Sequence, residues 1–347
     1  MTRAGHWRWP AEWEPQAAVL IAWPHRGTDW AARLDEVEET YVALAAAVAR
    51  HQRCLICVRD AALERHVRAR LERVGVNSGR ITCLHVPYHD TWLRDSGPIV
   101  LEGAPGFAYA DFRFTGWGGK FAAEQDDALA GRLIAMGVFA PGVHQRHDFA
   151  LEGGAVESDG RGTLLTTWRC LHQRHPQASR DALDACLRRM LGAERVLWLE
   201  YGCLQGDDTD AHIDTLARFS PDGGIVFQHC GDPADPHHGE LEAMRGQLAG
   251  LRDRAGRPYP LHPLPWARPI LDEGRRLAAS YANYLVINGA VLVPAYGDDA
   301  DAEAARTIAR AHPGREMVPV PCRPLIWQNG SLHCVTMQIP AGALAGG

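Results

Sequence analysis

The sequence predicts an α/β fold built from repeated units of two strands, a helix and a further strand. Short apolar runs alternate with amphipathic stretches along nearly all of the 347 residues, which is the pattern of an α/β protein. Strand-like runs outnumber helix-like stretches by about two to one, whereas a doubly wound parallel sheet has nearly one strand per helix. A repeated ββαβ-type unit explains the excess of strands better.

Six stretches have the apolar spacing of amphipathic helices. Gly75, Gly137 and Gly192 stand where glycines commonly end helices. Ser179 is placed to cap one helix, and Asp299 or Asp301 is placed to cap another. The predicted helices cover residues 34–51, 62–75, 127–137, 179–191, 239–251 and 301–311.

The predicted strands are short apolar runs bounded by turn residues. They cover residues 17–23, 54–58, 81–86, 97–101, 107–114, 163–167, 195–200, 224–230, 284–295 and 333–339. The run at 284–295 reads as a hairpin, and the proline-rich stretch 257–269 reads as a surface connection. No linker or low-complexity tract divides the chain, so we expect one domain over residues 1–347.

The composition excludes several classes of protein. The net charge is −6 and no basic block occurs, so we expect no nucleic-acid or membrane-surface partner. No apolar run is long enough to span a bilayer, and the N-terminus lacks the apolar region of a signal peptide. Nine cysteines without a framework spacing predict free thiols and a cytoplasmic protein. Strand alternation explains the pair Cys54 and Cys57 better than a redox motif does.

Two stretches place acidic residues beside turn signals. In "HDTWLRDSGPIVL", Asp90, Arg94 and Asp95 precede a Ser-Gly-Pro turn, where a simple polar turn is the competing interpretation. In "DFALEGGAV", Glu152 follows an apolar run and two glycines come after it. This arrangement indicates either close packing near a ligand or an exposed Glu in a bulged hairpin.

Two further stretches contribute a His and a Cys. In "GDDTDAHIDTLARF", His212 and Asp214 would share one face if the strand begins there. A metal site is disfavoured, because a second set of spaced ligands is missing. In "WQNGSLHCVTMQIP", a polar loop containing Gly330 leads into Cys334. Four other cysteines are interpreted as buried and unreactive: Cys170, Cys186, Cys230 and Cys322.

Together these residue types favour nucleophilic attack on a cation. Cys334 and His212 form a typical nucleophile and base. Asp95, Glu152 and Asp214 would repel the oxyanion that a thiol protease must stabilise. Carboxylates instead match the planar, five-donor guanidinium group.

These motifs, in this order, resemble the agmatine deiminase and bacterial peptidylarginine deiminase family. The resemblance runs from "WPAEWEPQAAVLIAWPH" at 9–25 to "GSLHCVTMQIP" at 330–340. Its landmarks are "TWLRDSGP", "WGGK", "LEGG", "DDTDAHIDTLARF", "SYANYLVINGAVLVP" and "LHCVTMQ". The chain departs from the family's usual sequence at "QNGS" before the cysteine and at "TGWGG".

The resemblance implies a pentein fold, which is a five-bladed α/β propeller with pseudo-fivefold symmetry. It implies that Cys334 is the nucleophile and His212 the general acid and base. Asp95 and Asp214 would hold the guanidinium, and Glu152 would orient His212 or contact the substrate. Asn283 matches a position that lines the site. By analogy, Asp90, Trp92 and Trp117 are expected at the substrate's distal end.

The implied activity is agmatine deiminase, a hydrolase of C–N bonds in linear amidines, which forms N-carbamoylputrescine and ammonia through an amidino-cysteine. Deimination of free or peptidyl arginine is the alternative with the same chemistry. A thiol amidase or protease, a metallohydrolase and a non-catalytic binding propeller are the more distant alternatives. We expect that the reaction needs no cofactor and no metal. The expected binding partner is a small guanidinium compound, and a homodimer is a possible assembly.

Overall fold

A computed structural model describes residues 7–346 of the chain. The strands are β1 (Gln16–Ala22), β2 (Arg53–Val58), β3 (Ile81–His85), β4 (Ile99–Gly103), β5 (Gly106–Arg113), β6 (Gly142–Ala150), β7 (Val156–Ser158), β8 (Thr163–Thr167), β9 (Arg195–Leu199), β10 (Ala217–Phe219), β11 (Ile225–Gln228), β12 (Leu261–Leu264), β13 (Leu271–Asp272), β14 (Arg275–Arg276), β15 (Leu285–Ile287), β16 (Ala290–Ala295), β17 (Glu316–Pro321) and β18 (Thr336–Pro340). The helices are α1 (Leu34–His51), α2 (Ala61–Arg73), α3 (Leu93–Ser96), α4 (Gly116–Gly119), α5 (Glu124–Asp127), α6 (Leu129–Ala135), α7 (Trp168–Arg174), α8 (Arg180–Leu191), α9 (His238–Gly250) and α10 (Asp301–Ala311).

Five sheets repeat one topology. In each, two strands pair antiparallel, a helical connection follows, and the next strand pairs parallel with the second strand. The sheet orders are β4-β5-β6, β7-β8-β9, β10-β11-β12, β15-β16-β17 and β18-β1-β2-β3. The predicted ββαβ unit is therefore confirmed. Parallel neighbours require such a crossover, whereas antiparallel neighbours need only a turn.

The two ends of the chain meet in the fifth sheet. β18, near the C-terminus, pairs antiparallel with β1, and β1 pairs parallel with β2. This sheet therefore has the same topology as the others, although its first strand comes last in the sequence. Cys54 and Cys57 lie on opposite faces of the buried strand β2 and contribute to two different hydrophobic clusters.

The longer helices follow the predicted ranges closely, and α1 and α10 match them. Gly75, Gly137 and Gly192 adopt positive φ where their helices end, and Ser179 Oγ accepts from the Ala182 N–H at 3.3 Å. The predicted cap of α10 is wrong. Its N-cap residue is Ala300, and the Asp301 carboxylate accepts from backbone N–H groups that precede the helix.

The sequence interpretation missed strands β6, β7, β12, β13, β14 and β17 and began β10 too early. The missed strands are very short or, like β6 and β17, partly exposed, so no apolar run marks them. The proline-rich stretch 257–269 contains β12. No helix within residues 7–346 is long and apolar enough to cross a membrane. The prediction that no signal peptide is present depends partly on residues 1–6, which lie outside the described range.

Each of the five repeats carries reactive side chains in one place, the segment just before its first strand. Asp95 precedes β4, Glu152 precedes β7, His212 and Asp214 precede β10, and Cys334 precedes β18. The remaining repeat carries Asn283 just before β15. Because the segments occupy equivalent positions in the repeats, the repeated topology brings their side chains to one place.

Candidate active site

Two glycines allow the segments to approach closely. A Cβ atom on Gly154 would lie 2.7 Å from His212 Nδ1, 2.8 Å from Asp95 Oδ1 and 3.2 Å from Asp214 Oδ2. A Cβ atom on Gly153 would lie 2.2 Å from the Arg94 carbonyl oxygen. Residues 153 and 154 must therefore be glycines, because any side chain there would collide with the groups that surround them. Glu152 itself is buried.

Cys334 lies on a turn before β18, and Asn283 holds that turn. Asn283 Oδ1 accepts from the backbone N–H of His333 at 2.9 Å and of Cys334 at 3.3 Å. The Cys334 thiol donates to the same oxygen at 3.4 Å and lies 3.6 Å from Asp214 Oδ2. Asn283 Nδ2 donates to the Asp214 carbonyl oxygen at 3.3 Å. Asn283 therefore holds the turn that carries Cys334, and it is not among the residues that line the adjacent cavity.

Asp95 is held by two donors on opposite sides. Gly154 N–H donates to Asp95 Oδ1 at 3.0 Å, and Trp117 Nε1–H donates to Asp95 Oδ2 at 2.9 Å. Burial raises the pKa of Asp95 to about 6, and the nearby Asp214 and Glu152 add to this effect. Trp117 adopts a left-handed backbone conformation, with φ of 55°. Its indole both orients Asp95 and lines the adjacent cavity.

The two carboxylate oxygens of Asp214 differ in their hydrogen bonding. Its Oδ2 contacts His333 Nδ1 at 2.8 Å. Its Oδ1 is buried and has no hydrogen-bond partner among residues 7–346. Burial raises the pKa of Asp214, but the hydrogen bond and the charge of His333 outweigh burial and hold the pKa below its usual value. Buried acceptors without partners are rare in folded proteins, so this oxygen indicates a binding site.

His212 lies between two carboxylates. Its Nδ1 is 3.7 Å from Asp95 Oδ1, and its Nε2 is 3.5 Å from Glu152 Oε2. Burial alone lowers the pKa of His212, but Asp95, Cys170 and Glu152 raise it well above its usual value. The carboxylates on both sides of the ring thus favour the protonated form of His212, which can donate a proton.

Cys170 is buried as predicted, and its thiol is a neighbour of His212. Cys230 and Cys322 are also buried, whereas Cys186, predicted to be buried, is partly exposed on α8.

Glu152, Cys170 and His212 have donor atoms within 4.8 Å of one another, a spacing that a metal ion could use. However, Arg174 donates to Glu152 Oε1 at 2.8 Å with both side chains buried. A guanidinium already bound to this carboxylate disfavours a divalent cation there. Arg174 also pairs with Asp210 at 2.7 Å, so one acidic residue of the 207–210 loop anchors the site.

A cavity of about 530 Å³ leads from the surface to Cys334. Trp92 and Trp117 form part of its wall, and Gly330 packs against the Trp92 ring, where a Cβ atom would lie 2.2 Å from Cζ3. Of the described residues that line it, five are acidic: Asp29, Asp90, Asp95, Asp126 and Asp208. Gln328, Asn329 and Gly330, from the "QNGS" stretch, also line the cavity.

One local prediction is corrected. His212 and Asp214 do not lie on a strand, because Ile213–Thr215 forms a 3-10 turn and β10 begins at Ala217. The Thr215 hydroxyl donates to the His212 carbonyl oxygen at 2.9 Å and stabilises the turn. Similarly, the predicted strand at 333–339 begins at Thr336, so that Cys334 stands on a turn.

The sequence pattern of the Porphyromonas-type peptidyl-arginine deiminase family matches residues 8–340. The chain belongs to this family. Agmatine deiminase from Stutzerimonas stutzeri is 32% identical to this chain. The alignment covers 96% of this chain and 95% of the S. stutzeri protein. The family resemblance inferred from the sequence is thereby confirmed.

Solved structures of this deiminase family superpose along the whole chain. A Porphyromonas gingivalis protein proposed to be an arginine deiminase has 46% identity and a TM-score of 0.89, covering 98% of this chain and 100% of its own. A Cys-to-Ser variant of C. jejuni agmatine deiminase with substrate bound has 30% identity and a TM-score of 0.90, covering 99% of each chain. Together with the five repeated sheets, these similarities confirm the pentein fold.

Proposed function

We propose that this protein hydrolyses agmatine to N-carbamoylputrescine and ammonia. The observation that carries the proposal is the buried Asp214 Oδ1, which lacks a partner in the described chain and belongs to the carboxylate that contacts the Cys334 thiol. A guanidinium placed between Asp214 and Asp95 would satisfy this oxygen and set its central carbon against the sulfur. Relatives named agmatine deiminase support the same reaction.

The first half-reaction forms a covalent intermediate. The Cys334 thiol gives up its proton to water as the cation binds, and the resulting thiolate attacks the guanidinium carbon, giving a neutral tetrahedral adduct. His212, protonated in the free site, donates to one terminal amino group. Ammonia leaves as the C–N bond breaks, and an amidino-cysteine remains. His212 is then a neutral base.

The second half-reaction regenerates the enzyme. His212 removes a proton from water, and the resulting hydroxide attacks the amidino carbon. The C–S bond breaks, the leaving Cys334 sulfur takes the proton of the added hydroxyl group, and the neutral ureido product is released from an enzyme that again holds a thiol. Glu152, anchored by Arg174, lies 3.5 Å from His212 Nε2 and stabilises the imidazolium that forms again.

The acidic cavity favours agmatine over arginine. Agmatine carries an ammonium group at its distal end, where Asp90 and Asp126 line the cavity. Burial raises the pKa of Asp90 to about 7 and that of Asp126 to about 6. A bound ammonium would restore their ionised form, which links substrate binding to proton release.

Arginine is the second candidate, for which Arg275 is the supporting observation. Among the described lining residues it is the single arginine, and it could contact an α-carboxylate. Its guanidinium already donates to the Asn329 side chain and the Trp327 carbonyl oxygen. The 46% identity to the P. gingivalis protein also keeps this candidate open.

Ammonia release from agmatine, arginine and a blocked arginine peptide tests the proposal. We expect agmatine to give the highest kcat/KM and Cys334→Ala to abolish release. Asp90→Asn should raise KM for agmatine roughly 10- to 100-fold, whereas Arg275→Ala should leave it unchanged. The opposite pattern would favour arginine. If the protein released ammonia from simple amides and the Asp95→Asn variant kept that activity, the result would support a thiol amidase instead.

We also propose that the enzyme works in the cytoplasm, because all nine cysteines are free thiols. A homodimer stays a prediction from the sequence, which light scattering coupled to size-exclusion chromatography would test.

A further inference from the structure

We propose that His333, the residue before Cys334, is a doubly protonated positioning residue that holds the Asp214 carboxylate in the correct orientation for the guanidinium. The inference rests on the proposed function for the role of Asp214. The charge of His333, however, can be measured without any substrate.

Hydrogen-bond geometry determines the charge. His333 is buried, its Nδ1 lies 2.8 Å from Asp214 Oδ2, and its Nε2 lies 2.6 Å from Glu12 Oε2. Each of these contacts needs one proton between nitrogen and oxygen. A neutral imidazole carries a proton on only one nitrogen. Either the ring is an imidazolium, or one of the two carboxylates is protonated.

The surroundings of Glu12 assign the proton to His333. Besides His333, Glu12 Oε2 contacts Arg218 at 3.0 Å and Arg94 at 3.4 Å, while Oε1 accepts from the Val286 N–H at 2.7 Å. Burial raises the pKa of Glu12, but the charges of Arg218 and Arg94 act against it and favour the ionised carboxylate whatever the state of His333. The charges of His212 and Arg218 favour ionised Asp214 in the same way, so both carboxylates accept and the second proton belongs to the ring.

The imidazolium has two consequences for the site. It occupies Asp214 Oδ2, which fixes the rotation of the carboxylate and leaves Oδ1 free for the substrate. It also balances one of the negative charges around Cys334. The charged or titratable groups facing the Asp214–His333 pair are Glu12, Arg94, Asp95, His212, Arg218 and Cys334.

Nuclear magnetic resonance of ¹⁵N-histidine-labelled protein tests the charge directly. The His333 ring, assigned by its loss in His333→Asn, should carry a proton on both nitrogens in the free enzyme at pH 7, because each nitrogen contacts a carboxylate oxygen. His212→Asn provides a second sample, in which this imidazolium should remain. A His333 ring that lacks a proton on one nitrogen at pH 7 would overturn the proposal.

Two substitutions separate positioning from structural support. The Asn amide of His333→Asn lies near the former Nδ1 and can still donate to Asp214, whereas the Gln amide of His333→Gln reaches toward Glu12. We expect His333→Gln to raise the KM for agmatine roughly 10- to 100-fold more than His333→Asn does. The two variants should have similar free energies of unfolding. Equal KM values in the two variants would contradict a positioning role. Absence of ammonia release by the wild type would refute the proposed function and leave the resonance result intact.

Discussion

The thiol of Cys334 lies among hydrogen-bond acceptors. Asn283 Oδ1 is 3.4 Å and Asp214 Oδ2 is 3.6 Å from its sulfur. A thiol can donate to these oxygens, whereas a thiolate has no proton to donate and is repelled by Asp214. Burial, Asp214 and Asp95 raise the pKa of Cys334 well above its usual value. The free enzyme therefore holds a neutral thiol, and we expect the cationic substrate to promote ionisation.

Alkylation by iodoacetamide across pH tests this substrate-assisted activation. Because the pKa is raised, Cys334 should react slowly at pH 7 and faster only as pH rises above about 9. Millimolar guanidinium should accelerate alkylation at pH 7 by adding positive charge beside the sulfur. Mass spectrometry of the Cys334 peptide gives the rate.

Urea is the matched control for this experiment, because it is a neutral molecule of the same shape as guanidinium. It should leave the alkylation rate unchanged. The Cys334→Ser variant reports the background from the other cysteines, of which Cys83, Cys186 and Cys203 are partly exposed. A free-enzyme pKa well below 7 would contradict substrate-assisted activation.

The short turns before the first strands are the elements that build the site. The 3-10 turn Gly153–Ala155 lies between β6 and β7, and Ile213–Thr215 precedes β10. Such turns project neighbouring side chains in directions that an extended strand does not allow. Gly154 matters most among their residues, since His212, Asp95 and Asp214 surround its missing side chain.

Replacement of Gly154 by Ala should therefore damage catalysis more than folding. The added Cβ would lie within 3 Å of His212 Nδ1 and Asp95 Oδ1 and would force both apart. Displacement of reacting groups by about 1 Å can cost about 100-fold in rate, so we expect kcat/KM to fall at least that much. Steady-state kinetics and denaturant unfolding would measure the two effects.

Gly246→Ala is the matched control for the added methyl group. Gly246 lies within α9, and a Cβ there would meet no atom within 4 Å. The variant should keep full activity and gain about 0.5–1 kcal/mol in unfolding free energy, because alanine favours the helix. Wild-type activity in Gly154→Ala would show that the close approach is not required.

A buried network of charges links distant parts of the molecule. Glu12, from the N-terminal segment, contacts Arg94 before β4, Arg218 on β10 and His333 before β18. Arg218 also pairs with Glu157 on β7 at 2.8 Å. The network therefore joins four of the repeats behind the reactive groups, and its charges depend on one another for compensation.

Loss of the Glu12 charge should destabilise the whole fold. In Glu12→Gln, Arg94 and Arg218 stay buried with less compensation, and breaking a buried ion pair costs about 3–5 kcal/mol. Denaturant unfolding at pH 7 would measure the change in unfolding free energy. Glu14→Gln is the control, because Glu14 forms a partly exposed pair with Arg8 and should cost about 1 kcal/mol or less. Equal effects of the two substitutions would show that the buried network adds no special stability.

Local patterns in the sequence were sufficient for the helices and for the reactive residues. The ranges 34–51 and 301–311 match α1 and α10, because apolar periodicity is a property of neighbouring residues. Cys334, His212, Asp95, Asp214 and Glu152 could be selected because reactive types beside turn residues are visible in the chain itself. The two glycines after Glu152 left open either close packing near a ligand or an exposed Glu in a bulged hairpin, and the structure shows a buried, closely packed Glu152.

The tertiary structure alone decided how these residues work together. Asn283 and His333 attach the nucleophile's turn to Asp214, which lies more than 100 positions away in the chain. Cys170 becomes a neighbour of His212, and Glu12 becomes the counter-ion of His333, only when the five repeats close upon one another. Sequence periodicity indicates which face of a helix or strand is buried, but it does not indicate which repeat packs against that face. The charges and hydrogen bonds of the site therefore follow from long-range packing.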